Sequence, residues 1–417
     1  MDYLERTASK ILTRNAKTFK CVMVTGARQT GKSTLLQHIF PERRYVSLDD
    51  PFIADQARED SALFIALNPP PAIYDEVQQA AELFPHIKMA CDRSDQYGLF
   101  CLSGSQPFEL MRRITESLAG RVSIVELAPL SLREIQRIDF SEPFVPTLDY
   151  LKQRAKSAKN PDNIWKIIHT GGYPALCNPD MDWMQFYGSY VKTYLERDVR
   201  SLSAVQDLDA FRRFMVAAAA RSGQVVNYAN IASEVGKDVS TIKNWVSILE
   251  ASGIIYLLEP YAHSVLRRAI KTPKLYFRDT GLAAYLTRWL TPETLASGAV
   301  SGAFFETFVV SEILKSYSNA GIDYRYLVSY YRGRDRLRSG ADKSMREHEI
   351  DLIIEENGIL HPIEIKQGTK VNLGQVKSFE IMDALPDKKR GMGAIVCTAP
   401  APMHLSDSVL AIPAWYI

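Results

Sequence analysis

The chain has 417 residues, 46% hydrophobic and 24% charged, with a net charge of +2. This is the balance of a water-soluble globular protein of about two to four domains. It excludes a strongly basic or acidic protein, so any nucleic-acid surface has to be local. No apolar run is long enough for a membrane span, and the opening MDYLERTASK lacks the apolar stretch of a signal peptide. Five scattered cysteines without a CxxC pair read as reduced, mostly buried thiols of a cytoplasmic protein.

Residues 20–25, KCVMVT, read as a short buried strand, and GARQTGKST follows. Gly26, Gly31, Lys32 and Ser33 match the phosphate-loop pattern G-x-x-x-x-G-K-[ST] in full. The expected nucleotide contacts run through Gly26, Ala27, Arg28, Gln29, Thr30, Gly31, Lys32, Ser33 and Thr34. Glycines let backbone N–H groups turn inward around phosphate, Lys32 reaches the outer phosphates and Ser33 holds magnesium. Leu35, Leu36 and Ile39 continue as a helix whose N-terminus faces the anion. The expected ligands are therefore ATP and Mg2+.

PPAIYDEVQQA then places Asp75 and Glu76 at a strand end. Asp75 is expected to act on magnesium, and Glu76 to orient and deprotonate the attacking water. In YGLFCLSGSQPF, Ser103 or Ser105 falls near the carboxyl ends of the strands, within reach of the γ-phosphate or the water. With Tyr45–Leu48 and Val122–Leu127, about five strands form a parallel sheet with helices on both faces. The arginine that completes the site is chosen among Arg121, Arg197 and Arg200, with Arg121 preferred.

From Pro129 to about Leu202 the pattern is helical and polar, as in a lid or linker. VVNYANIASEVG and STIKNWVSILEASG read as two short helices, the first ending at Gly236, the second capped by Ser240 and ending at Gly253. The strand IIYLLEPY follows, so residues 216–262 have the layout of a winged helix-turn-helix. Lys243 is the only basic residue of the presumed reading helix, which favours a packing or hinge role over reading DNA bases. Residues 263–299 read as a linker.

The last domain, 300–417, contains HEIDLIIEENGILHPIEIKQG. Asn357-Gly358 predicts a two-residue hairpin turn. Asp351 then faces Glu364, Glu349 faces Lys366, and all four share one side opposite Ile350, Leu352, Ile354, Ile363 and Ile365. Two opposed carboxylates need a positive partner. A second Mg2+ or a Mn2+ held by Asp351 and Glu364 would supply it, with Lys366 orienting a water and Glu306 available as a third acid. The other reading is an ordinary solvated face. Residues 332–346 carry five arginines and one lysine against two aspartates, a cationic loop suited to nucleic acid or simply to water.

These motifs, together with LDDP, ESLAGR, GGYPAL, YLERDVR, FRDTGLAAYL and GAFFETFV, resemble bacterial and archaeal ATP-binding proteins. Those proteins join an AAA-type, STAND-like ATPase domain to a C-terminal DUF4143 domain. The resemblance implies an α/β P-loop core over 1–128, a helical lid over 129–215 and the winged helix. Its tail would be related to the PD-(D/E)xK restriction-endonuclease-like fold, with site residues Glu306, Asp351, Glu364 and Lys366. It implies ATPase activity, self-association through an arginine borrowed from a neighbour, and DNA or a protein as partner. The function so expected is an ATP-driven switch coupled to a nuclease-like or nucleic-acid-binding module. The alternative is a non-catalytic ATP-dependent protein-interaction module with an inactive nuclease-like tail.

Overall fold

A computed structural model describes residues 3–104, 117–199, 205, 207–261, 272–335, 346–385 and 388–417. Strands β1 (Cys21–Thr25), β2 (Arg44–Ser47), β3 (Ala72–Asp75), β4 (Phe100–Ser103) and β5 (Val122–Glu126) form one parallel sheet in the order β2-β3-β4-β1-β5. Every residue of β1 is buried, because both sheet faces are covered. Cys21 and Met23 pack on one side with Tyr74 and Leu102. Val22 and Val24 pack on the other with Leu35 and Leu36 of α1 (Lys32–Ile39). The cysteines are free thiols, four of them buried.

The middle of the chain is mostly helical. Helix α2 (Trp183–Thr193) runs directly into a π-helical turn over Tyr194–Val199. Helix α3 (Leu208–Ala219) packs Phe211 and Phe214 on Trp245, with ring centroids 5.1 and 5.5 Å away. Helix α4 (Tyr228–Val235) ends at Gly236 as expected, while α5 (Val239–Ala251) starts earlier than expected. Its cap is Asp238, which accepts the Thr241 N–H at 2.8 Å, and Ser240 lies inside the helix. Three short strands, β6 (Gln224–Val225), β7 (Ile255–Leu258) and β8 (Lys274–Phe277), form an antiparallel sheet in the order β6-β8-β7. Residues 274–277 therefore belong to a sheet rather than to a linker.

The buried helix α6 (Ser301–Asn319) leads into the last sheet. Its strands are β9 (Val328–Asp335), β10 (Arg346–Glu356), β11 (Ile359–Ile365), β12 (Lys389–Arg390), β13 (Gly393–Cys397), β14 (Met403–Ser406) and β15 (Val409–Pro413). They lie in the order β14-β15-β13-β11-β10-β9, with β12 beside β11. Asn357 and Gly358 have φ of 51° and 79°, as a type I′ turn requires, and the ladder runs from Glu356↔Ile359 to Leu352↔Ile363.

The expectation of one apolar and one charged face is overturned. A bulge between Ile350 and Ile353, seen in the pairing with β9, breaks the alternation. Ile350 and Ile353 join a core with Phe379 and Met382, whereas Leu352, Ile354, Ile363 and Ile365 join the core of α6. Both faces are covered, so a solvated hairpin face is not available.

Candidate functional site

The phosphate loop sits at the carboxyl end of β1. Gly26 has φ 133°, and a Cβ there would lie 2.2 Å from the Leu127 carbonyl oxygen, so only glycine fits. Thr30 is fully buried and its hydroxyl donates to the Ala27 carbonyl at 2.9 Å. Arg6, absent from the sequence reading, holds the loop from outside. It donates to the carbonyls of Thr30 and Ala128, both at 2.7 Å, and pairs with buried Glu134 at 3.1 Å. Arg6 and the neighbouring Ser131 N–H and Thr7 N–H hold the Glu134 carboxyl below its ordinary range, against the opposing effect of burial.

Lys32 is buried, and its ammonium donates to the carbonyls of Gly26 at 3.2 Å and Ala27 at 2.9 Å. A cavity of about 290 Å³ opens above it. Loop residues Arg28, Gln29, Gly31, Lys32, Ser33 and Thr34 form one wall, and Glu76 and Thr193 face them.

Asp75 ends β3 and is buried. Because β4 lies between β3 and β1, Ser103 at the end of β4 donates to Asp75 Oδ1. Tyr45 donates to Oδ2 at 2.7 Å. Ser33 lies near the same phenol, so Tyr45 sits between the two residues expected at magnesium. Burial, with the Asp75 carboxylate adding to it, pushes the Tyr45 hydroxyl up to about 12, so it stays a donor at neutral pH. Glu76 takes a left-handed backbone, φ 55°, and receives the Gln78 amide. A carboxyl pair, a hydroxyl and an ammonium around a loop of N–H groups fit a nucleoside triphosphate with magnesium.

Arg121 does not belong to this constellation. Val122 pairs with Cys21 at the start of β1, at the opposite end of the sheet from the loop. The Arg121 guanidinium donates to Asp92 Oδ2 at 3.1 Å and to the Ala119 carbonyl at 3.0 Å. Ser105 and Arg200 lie outside the described residues, as does the side chain of Arg197.

The middle region touches the same loop. Gly253, at φ 71° after α5, comes so close that a Cβ would lie 3.1 Å from the Ala27 nitrogen. Arg278, just beyond β8, is buried, donates to the Ile255 carbonyl at 3.1 Å and pairs with Glu126 at the end of β5. Its cationic group also lies 4.2 Å from the centroid of the Tyr256 ring. Asp279 accepts from Tyr187 at 2.6 Å, Gly172 N–H at 2.7 Å and Leu282 N–H at 2.8 Å. That network joins the GGYPAL and FRDTGLAAYL segments.

The C-terminal acids are also brought together, but with an unexpected cation. Lys274, at the start of β8, is only 3% exposed in its side chain and pairs with Glu306 at 3.3 Å and Glu349 at 2.5 Å. Tyr276 donates to the same Glu306 oxygen at 2.7 Å. Asp351 is buried beyond the end of the β10–β11 ladder, and its carboxylate accepts the Ile365 N–H at 2.8 Å. Glu364 is buried and pairs with Lys366 at 2.6 Å. Burial, with Glu306 and Glu364 nearby, pushes the Asp351 carboxyl well above its usual range. Burial likewise raises Glu364, against the pull of Lys366.

The donors as placed do not fit a second metal ion. Glu306 is turned to Lys274 and Tyr276, Asp351 to a backbone N–H and Glu364 to Lys366. Among the described residues, no group of three or more histidine, cysteine, aspartate or glutamate side chains is arranged to hold one. Most of the cationic loop, residues 336–345, lies outside the described residues. No helix among them is long and apolar enough to cross a membrane.

Helix α6 also reaches the segment that follows β5. Glu312 accepts the Leu132 N–H at 2.8 Å, and Lys315 donates to the Leu130 carbonyl at 3.0 Å. Glu306 lies six residues earlier, about 9 Å along the axis.

The parallel sheet and its phosphate loop define an AAA-like P-loop ATPase fold. Residues 18–136 match the AAA domain family, and residues 301–417 match a domain of unknown function, DUF4143, so both domains are present. Residues 161–293 match a further domain of unknown function, DUF8612. The chain is similar to the uncharacterized proteins Rv2008c of Mycobacterium tuberculosis and Mb2031c of Mycobacterium bovis. It is 26% identical to each over 412 residues, 98% of this chain and 83% of the relative. Among solved structures it is similar to the Walker-type ATPase PABY2304 of Pyrococcus abyssi (16% identity, TM-score 0.40, 68% of this chain and 96% of that one). A second likeness is to AMPPCP-bound DnaA from Aquifex aeolicus (15% identity, TM-score 0.28, 58% and 85%).

Proposed function

We propose that this protein is a Mg-dependent ATPase that acts as a switch, with its ATP state passed through the middle region to the C-terminal domain. The observation that carries the reading is the convergence of Lys32, Ser33, Tyr45, Asp75 and Ser103 at the carboxyl ends of neighbouring strands. Ser33 and Asp75 would hold the magnesium, which supplies charge neutralisation on the phosphates when bound. Lys32 and the loop N–H groups bind and orient the triphosphate. Glu76, across the cavity from the loop, takes the proton of the attacking water, and the Gln78 amide fixes its carboxylate. Glu76→Gln is expected to bind ATP as before but to turn it over about 10² to 10⁴ times more slowly. Normal phosphate release by that variant would remove Glu76 from this role.

The C-terminal cluster supports the non-catalytic form of the switch. Its carboxylates are satisfied by Lys274, Lys366, Tyr276 and a backbone N–H, which is how a buried acid cluster is stabilised without a bound ion. Linear and supercoiled DNA should therefore remain intact with Mg2+ or Mn2+, with or without ATP. Cutting that disappears in both Asp351→Ala and Lys366→Ala would instead establish a nuclease.

A further inference from the structure

Two thiols of the ATPase domain meet in its core. Cys21 opens β1, the interior strand that runs into the phosphate loop. Its Sγ lies 3.3 Å from the Sγ of Cys91, on the helix Leu83–Asp92 and 70 residues away in the chain. Both are free thiols. The contact is a single S–H···S bond, and an approach of roughly 1.3 Å separates it from a disulfide.

Their surroundings make the two sulfurs unlike. Cys21 is fully buried with Tyr74 and Leu102, on a strand paired along both edges. Cys91 lies in the last turn of its helix, and residues 92–97 beyond it are exposed or half-buried. The hydrogen bond from Cys21, helped by Lys20 and Arg121, holds the Cys91 thiol below its ordinary value, against burial and Asp92. The same bond, together with burial, pushes the Cys21 thiol up. Cys91 is therefore the sulfur that ionises and attacks, and Cys21 the neighbour that resolves. Fraying of a final helical turn is a low-cost local opening, and here it bares Cys91 while β1 stays paired. Cys101 gives the contrast. It faces the other side of the sheet with Val22 and Leu35, and burial pushes its thiol up to about 11.

We infer that Cys21 and Cys91 are a redox-modification site, which hydrogen peroxide converts to an intramolecular disulfide and a thiol reductant restores. The Cys91 thiolate attacks one peroxide oxygen. The O–O bond breaks, Cys91 becomes a sulfenic acid, and the departing hydroxide takes a proton to form water. Cys21 gives up its proton and attacks the Cys91 sulfur. The S–S bond forms, the S–O bond breaks and a second water leaves. The two thiols lose two electrons and the peroxide gains them. The bond ties the strand that carries the phosphate loop to the helix Leu83–Asp92. It spans 70 residues, so the oxidised form resists unfolding more than the reduced form.

Peptide mapping of the purified full chain after treatment with hydrogen peroxide tests this. The expected product is one cross-linked pair of peptides, Cys21 with Cys91, which dithiothreitol removes, while Cys101 is recovered as a free thiol. The urea midpoint of the oxidised protein should rise and fall back on reduction. In Cys21→Ala the Cys91 sulfenic acid has no resolving thiol, so it should take a dimedone label that the wild type does not. The wild-type map stands whether or not that variant folds. Recovery of both Cys21 and Cys91 as free thiols overturns the inference. So does a bond mapped to another pair, or an oxidised protein that unfolds at lower urea than the reduced one.

Discussion

Lys32→Ala is expected to lower ATP turnover about a hundred- to a thousandfold and to weaken nucleotide binding, while leaving the fold intact. Lys32 is the only ammonium in the wall of the cavity, and it sits directly over the loop carbonyls. Removing it takes away the buried cation placed to meet the outer phosphates. The loop does not depend on Lys32 for its shape. The Gly26 conformation, the Thr30 hydroxyl bond and the Arg6 contacts to Thr30 and Ala128 all remain. A thermal scan should therefore move little, whereas binding of a fluorescent ATP analogue and release of phosphate should both fall. Turnover equal to wild type would sink the assignment of this cavity as the ATP site.

The parts of the ATPase site that could be read in the sequence are those fixed by local chain geometry. Nine consecutive residues, Gly26 to Thr34, specify the phosphate loop, and a strand end specifies Asp75. Tyr45, Arg6, Lys274 and Arg278 were not legible because each acts on a residue far along the chain. Arg6 pairs with Glu134, and Arg278 with Glu126. Arg121 was misplaced because lying beside a strand does not reveal which end of the sheet faces the loop.

In the hairpin the Asn357-Gly358 turn predicted the register correctly as far as Leu352. Beyond it, period-two counting could not detect the bulge between Ile350 and Ile353. The buried setting of Asp351 and Glu364 was hidden for a related reason. It depends on cores that helix α6 and residues 373–384 build on opposite faces of the sheet.

One short strand connects the sites. At one end of β8 Lys274 holds Glu306 and Glu349, and at the other Arg278 holds Glu126 on the ATPase sheet, about 13 Å away at strand spacing. Helix α6 makes the second connection, through Glu312 and Lys315 to Leu132 and Leu130. Packed, charge-paired elements thus link β5 to the acid cluster. This coupling makes residues 300–417 alone an incomplete unit, because Lys274 comes from outside them.

Lys274→Met is expected to destabilise the protein by about 1–3 kcal/mol, because it removes the buried cation that pairs with partly exposed Glu306 and Glu349 and lies near buried Asp351. The loss should depend on pH. Asp351 and Glu364 have raised folded values, so the stability they contribute is present in acid and is lost as pH rises through those values. Lys274 opposes that loss by favouring the charged carboxylates; without it the folded values rise further. The deficit of Lys274→Met relative to wild type should therefore be small near pH 4 and grow toward neutral pH. Adding Asp351→Asn, which cannot ionise, should recover part of it at neutral pH and little in acid. Urea unfolding across this pH range measures both. A deficit that does not change with pH would trace the loss to packing of the lysine stem against Tyr330, whose ring centroid lies 5.5 Å from the ammonium, rather than to charge.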